Sequence, residues 1–132
     1  MFKVVVDTNV VVSAALTPNG NAAMIMNLIF EEVIQVFYNA RTLFEYEDVL
    51  SRSRLNLSTE KQTLFIDGIK RVGIIVTPFT SKIPLPDESD RIFYDTAKGI
   101  GAILITGNTK HYPDETFIMT PAEYLQTLSQ QE

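Results

Sequence analysis

The chain contains no cysteine. A disulfide framework and a zinc–thiolate site are therefore excluded, which fits an intracellular, cytoplasmic location. Histidine is scarce as well, with His111 alone. No apolar run approaches the roughly 20 residues of a membrane span, so no membrane partner is expected. The N-terminus has one early lysine and then a short strand-like run that ends in aspartate. It lacks the longer apolar stretch and small-residue cleavage site of a signal peptide. No Gly-x-Gly-x-x-Gly or P-loop pattern occurs, which argues against a nucleotide-binding fold. An excess of basic charge is also missing: 16 acidic residues against 11 basic ones leave a net charge of −5. That argues against holding nucleic acid through a broad basic surface. A nuclease stays open, because bound cations offset a clustered acidic site and local basic patches hold phosphates.

What is present is ordinary for a soluble globular protein: 45% hydrophobic and 20% charged residues. A length of 132 residues predicts one domain over 1–132, with a polar tail from about 129. There is no internal repeat, linker or low-complexity tract. Phe2, Lys3, Val4, Val5 and Val6 form a β-branched run that fits a strand buried on both faces. A short helix is predicted over 10–16, stopped by Thr17-Pro18-Asn19-Gly20. A second helix is predicted over 21–32, with Met24, Ile25, Leu28 and Ile29 at helical spacing, and a strand over 33–38. Asn39 should cap a helix over 40–51, and Ser58 another with Leu64, Phe65 and Ile69 inward. A strand over 73–77, a proline-rich loop over 78–87, a helix over 87–99 and a strand over 102–106 follow. Phe117 to Met119 makes a last short strand, and Thr120-Pro121-Ala122-Glu123 opens the final helix with a capping box. Strands alternating with helices imply a mainly parallel sheet with helices on both faces.

Asp7 follows the first strand, at the sheet edge where open α/β sheets place ligands. It is either a helix cap or a metal ligand, depending on which acidic residues meet it. In the helix over 87–99, Asp90 shares a face with Phe93, Tyr94 and Ala97 and should point inward. Asp95 falls opposite and should be solvated. Asp87 and Asp90 are also spaced like a cap and its N3 partner, and acids favour a helix N-terminus. Spacing leaves capping and metal binding both open. In the Asn39 helix, Leu43, Tyr46 and Leu50 mark the buried stripe. Glu47 lies nearer to it than Glu45, and the pattern favours Glu45, Glu47 and Asp48 as a solvated face. Thr106, Gly107 and Asn108 end a strand on the same sheet edge as Asp7. Asn108 either orients a metal-bound water or phosphate oxygen, or simply makes a turn. Carboxylates converging there would suit Mg²⁺ or Mn²⁺, hard cations that serve phosphodiester cleavage without His or Cys ligands.

Asp7-Thr8-Asn9-Val10, Glu45-Tyr46, Asp90 with Ala97 seven residues on, and Thr106-Gly107-Asn108 occur in an order that resembles the PIN-domain family. Within it the chain looks like the VapC-like ribonuclease toxins of bacterial toxin–antitoxin pairs. The likeness covers essentially the whole chain and is most specific in 7–13 and 104–111. It implies a three-layer α/β/α fold and a Mg²⁺- or Mn²⁺-dependent endoribonuclease whose metal is held by Asp7, Glu45 and Asp90. On this basis Glu45 replaces Glu47, against the helix wheel. The family's fourth acidic position is Asn108 here, and a late acidic residue found three positions on in other members is His111. The resemblance also implies an RNA substrate, an antitoxin partner and a homodimer. Thr8, Asn9, Thr106 and Asn108 would position phosphate or ligand carboxylates. Arg91 and Lys110 are candidate phosphate contacts, with exposed salt pairing as the favoured competing role for both.

Two other readings compete. One is a PIN scaffold weakened in catalysis that acts as a protein- or RNA-binding module, as Asn108 and His111 at the late acidic positions suggest. The other is a phosphatase of the haloacid dehalogenase type. That chemistry needs Asp-x-Asp after the first strand, and Asn9 occupies the second position.

Overall fold

The computed structural model describes residues 1–77 and 79–130. The predicted start of the proline-rich loop at Pro78 and the last two residues of the polar tail lie outside the described residues. Five strands, β1 (Lys3–Val6), β2 (Gln35–Tyr38), β3 (Ile74–Ile75), β4 (Ile103–Ile105) and β5 (Ile118–Met119), form one sheet in the order β3-β2-β1-β4-β5. Every pairing is parallel, with Val4 opposite both Val36 and Ile103 and Val6 opposite Ile105. β1 is central, and Val4, Val5 and Val6 are fully buried, as a strand covered on both faces requires.

Parallel neighbours need crossovers. Helices α1 (Thr8–Leu16) and α2 (Asn21–Phe30) join β1 to β2, and α3 (Ala40–Leu50) and α4 (Thr59–Val72) join β2 to β3. A loop and α5 (Arg91–Ile100) return the chain to β4 on the other side of β1, and α6 (Pro121–Ser129) follows β5. The chain thus winds one way from β1 through β3, then starts again on the opposite side of β1. The reversal opens a crevice at the carboxyl ends of β1 and β4, the switch point at which such sheets bind ligands. Asp7 and Thr106 are the residues that leave those two strands.

The predicted caps are present. Asn39 accepts from the amides of Arg41 and Thr42 in a capping box, Ser58 from Lys61, and Thr120 and Glu123 complete the last box. Several expectations need correction. α1 begins at Thr8 rather than at residue 10, directly after the strand. Met24 and Leu64 face solvent. On α2 the buried stripe is Ala22, Ala23, Ile25, Met26 and Ile29, because small alanines let α2 pack closely on α1. The predicted helix over 87–99 is a 3-10 turn, Glu88–Asp90, leading into α5.

Asp95 is the largest correction: it is 2% exposed, not solvated. The proline-rich loop crosses the outer side of α5, and both Asp95 oxygens accept from Ser81, one from its amide at 2.8 Å and one from its hydroxyl at 2.6 Å. A helix wheel registers only the sheet-facing stripe, not a loop laid over the opposite side.

Candidate active site

Asp7 stands at the N-cap position of α1, but its side chain caps nothing. Its Oδ2 accepts instead from the Thr106 hydroxyl at 2.9 Å and the Tyr112 hydroxyl at 2.8 Å. The Thr106 Oγ1 in turn accepts from Asn9 Nδ2 at 3.3 Å and from the Asn108 amide at 3.1 Å. Asn9 Oδ1 accepts from the Gly107 amide at 2.8 Å. The β1 and β4 ends are therefore stitched together around one buried carboxylate. Thr106 bonds Asp7 directly, and Asn9 bonds Thr106. Thr8 is buried, and its hydroxyl has no hydrogen-bond partner among the described residues.

Asp90 reaches the same crevice from the start of α5. It occupies an N-cap position without capping. The capping work falls to Asp87, which accepts from the Ser89 amide and hydroxyl and is held below the usual carboxylate range by those bonds. Asp90 is thus freed from the helix end. Its Oδ2 is buried without a hydrogen bond among the described residues, and His111 Nδ1 lies 3.5 Å from it. Burial first, then the charges of Asp7, Asp87 and Glu45, push the Asp90 carboxyl up to about 6, against a smaller opposing pull from His111.

Glu45 enters from α3. Its neighbour Tyr46 is buried and donates to the Val6 carbonyl at 2.5 Å. That bond ties α3 to the end of β1 and leaves Glu45 half-buried beside the crevice, while Glu47 is exposed. The wheel's preference for Glu47 is therefore corrected, and Glu45's charge registers at Asp90. Among the described residues, however, no three His, Asp or Glu side chains approach closely enough to hold one metal ion together.

Arg91 is placed differently from the phosphate contact expected of it. Its Nε donates to Glu88, Nη1 to the Ser81 carbonyl and hydroxyl, and Nη2 to Glu88 and the Ile83 carbonyl. A guanidinium has five donors; three of these bonds hold the loop on α5 through Ser81 and Ile83, and two pair with Glu88 of the preceding 3-10 turn. Lys110 remains exposed next to His111. Tyr112 escaped the sequence reading altogether, since nothing in a polar turn-rich segment marks a tyrosine for a partner 105 positions away. The larger cavity of about 570 Å³ between α3 and α4, lined by Phe44, Glu47, Asp67 and Lys70, shares none of these residues.

Residues 3–110 match the PIN domain family, a span that includes Asp7, Glu45, Asp90 and Asn108. The chain belongs to the PIN-domain family. An uncharacterized protein of Methanocaldococcus jannaschii is 36% identical over 110 residues, covering 81% of this chain and 71% of the relative. No solved structure matches. The five-stranded parallel sheet flanked by helices agrees with a PIN-like fold. PIN domains are generally nucleases and typically use divalent metal ions. The matched span stops before Tyr112, so one of the two hydroxyls on Asp7 comes from beyond it.

Proposed function

We propose that this PIN domain is a Mg²⁺- or Mn²⁺-dependent endoribonuclease that hydrolyses RNA phosphodiester bonds. The observation that carries the reading is Asp90. It is a carboxylate drawn into a crevice with Asp7 and Glu45, freed from capping, with a buried oxygen that no donor among the described residues satisfies. Carboxylate oxygens suit a hard divalent cation; Asp7, Glu45 and Asp90 are the residues that would hold it, and they would have to draw closer together to do so. A cation bound there supplies a Lewis acid for the phosphate and an activated water.

The chain's own groups do the positioning. Thr106 and Tyr112 fix Asp7 Oδ2, and Tyr46 sets α3 so that Glu45 faces the crevice. Asn108, at the end of β4, offers an amide oxygen where a fourth acid would add charge. The role as a toxin with an antitoxin partner, the homodimer and the cytoplasmic location belong to the same reading and rest on the VapC-like resemblance. Residues beyond the family match contribute β5 and Tyr112 to this sheet and site, which supports one domain over the chain.

The direct test is cleavage of a labelled single-stranded RNA with Mg²⁺ or Mn²⁺ against a chelator control. Metal-dependent internal cuts are expected, and no cleavage with either metal would sink the reading. A second reading, a PIN scaffold that binds without cutting, draws on Asn108, His111 and the want of three converging ligands. It predicts RNA or protein binding with no cleavage.

Two further outcomes follow from the geometry. The folded Asp90 carboxyl sits near 6, above its ordinary 3.8. Its charged form is thus disfavoured in the native state, and cation-free stability falls as pH rises from about 4 through 6. A cation reverses that penalty. Mn²⁺ at a hundredfold excess over Kd should add about 2.7 kcal/mol, on the order of 10 °C in Tm, at pH 7.5 and clearly less at pH 5. Scanning calorimetry reads this, and equal shifts at both pH values would contradict it. Tyr112→Phe removes a donor that orients Asp7, and it should weaken Mn²⁺ binding about 10–100-fold in titration calorimetry with little change in the far-ultraviolet spectrum.

A further inference from the structure

A second cavity, about 450 Å³, runs along the outer side of α1 from Thr8 and Asn9, beside Asp7, to Arg54. Helical spacing divides its α1 wall into two stripes. Thr8, Val12 and Leu16 form one, and Asn9, Ser13 and Thr17 form the other, each at i, i+4, i+8. Val49 of α3 adds apolar surface opposite. The inner end holds the Thr8 hydroxyl, sheltered from solvent and without a partner. The outer end holds Arg54, in a 3-10 turn, Ser53–Leu55. Arg52 nearby pairs with Asp48 at 3.2 Å, whereas Arg54 has no carboxylate within 4.0 Å among the described residues. An unpaired guanidinium in a chain of net charge −5 is a conspicuous local offer to an anion.

We infer that this groove seats the nucleotides flanking the cleaved bond of a single-stranded RNA, with Arg54 on a backbone phosphate and Val12, Leu16 and Val49 against a base. The inference rests on the hydrolytic reading above for its choice of ligand. Three features favour a nucleic-acid strand. Its inner wall, Thr8 and Asn9, directly follows Asp7 in the chain. Its polar and apolar stripes run side by side, as a strand with a polar backbone and flat bases requires. Its one arginine matches phosphate. The nine residues of α1 rise about 13 Å, so Arg54 would meet a phosphate outside the catalytic one.

The test pairs two measurements on the full chain: anisotropy of a labelled ten-nucleotide RNA in chelator, and cleavage kinetics of the same RNA in Mn²⁺. Arg54→Ala should raise Kd and KM about tenfold, with most of the loss in KM rather than kcat, and flatten the salt dependence of log K by roughly 0.7. Leu16→Glu, at an exposed position, should weaken binding similarly without threatening the fold. Arg71→Ala, in the last turn of α4 and outside the groove, should change neither constant more than twofold. If the wild-type protein cleaves and neither groove variant alters Kd or KM, the groove assignment is overturned while the hydrolytic reading stands. If it binds RNA through Arg54 but never cleaves, the groove stands and the hydrolytic reading falls. If it does neither, both fall. A dimer that Leu16→Glu splits, with RNA affinity unchanged, would assign the groove to a second copy and overturn the inference.

Discussion

Asp7→Asn is expected to abolish metal-dependent RNA cleavage while leaving the fold in place. Asparagine keeps an oxygen of the same shape, so Thr106 and Tyr112 still have an acceptor. What it removes is the negative charge at the switch point. The expected loss is on the order of 10³-fold or more in kcat/KM, about 4 kcal/mol of transition-state stabilisation. Stability should hold or rise, because a buried charge facing Asp90 disappears. That combination separates a catalytic carboxylate from a structural one: a cap or a strut would lose stability first and activity only as a result. Activity within tenfold of wild type, in a variant verified to bind no contaminating nuclease, would remove Asp7 from the chemistry.

Asp95→Ala should give the opposite pattern, with a large loss of stability and little direct effect on the reacting groups. Its two oxygens hold the amide and hydroxyl of Ser81, and Arg91 lies 3.7 Å away and donates three hydrogen bonds to the same loop. Removing a buried partner leaves those groups without compensation, a cost of about 3 kcal/mol or more. The urea midpoint should fall accordingly, and residues 79–87 should become the first site of proteolytic nicking. Asp95→Asn, which keeps one acceptor, should lie between. A change below about 1 kcal/mol would mean that the loop is held mainly by its apolar contacts.

The layers of this fold were legible because they are written locally. The Val4–Val6 run, the caps Asn39, Ser58 and Thr120, and the glycine after α4 depend on neighbours within a few positions. Asp90 was placed correctly on the inward face by its spacing from Phe93, Tyr94 and Ala97, all of which are buried. Where the reading failed, the deciding partner lies far along the chain or on an unanticipated side. Asp95 is buried by a loop with no periodicity of its own. Glu45 rather than Glu47 faces the crevice because Tyr46 bonds the end of β1, 40 residues away. Arg91's salt pairing with Glu88 follows the i, i+3 spacing, whereas its bonds to Ser81 and the Ile83 carbonyl come from a loop that no charge pattern reveals. The cap-or-ligand ambiguity at Asp87 and Asp90 needed coordinates, since one spacing serves both roles and only geometry shows which carboxylate is occupied.

The two hydroxyls that fix Asp7 lie 99 and 105 residues further along the chain. Contacts of such separation close late, after the loop entropy between them has been overcome. At the usual pace of synthesis, about 5–20 residues per second, Asp7 is made roughly 5–20 s before Tyr112. For the ribonuclease proposed above, this timing has a use. A nascent chain that has not yet reached Tyr112 carries the carboxylate but not its full buttress, so the Asp7 site is complete only after that tyrosine has been made and folded in.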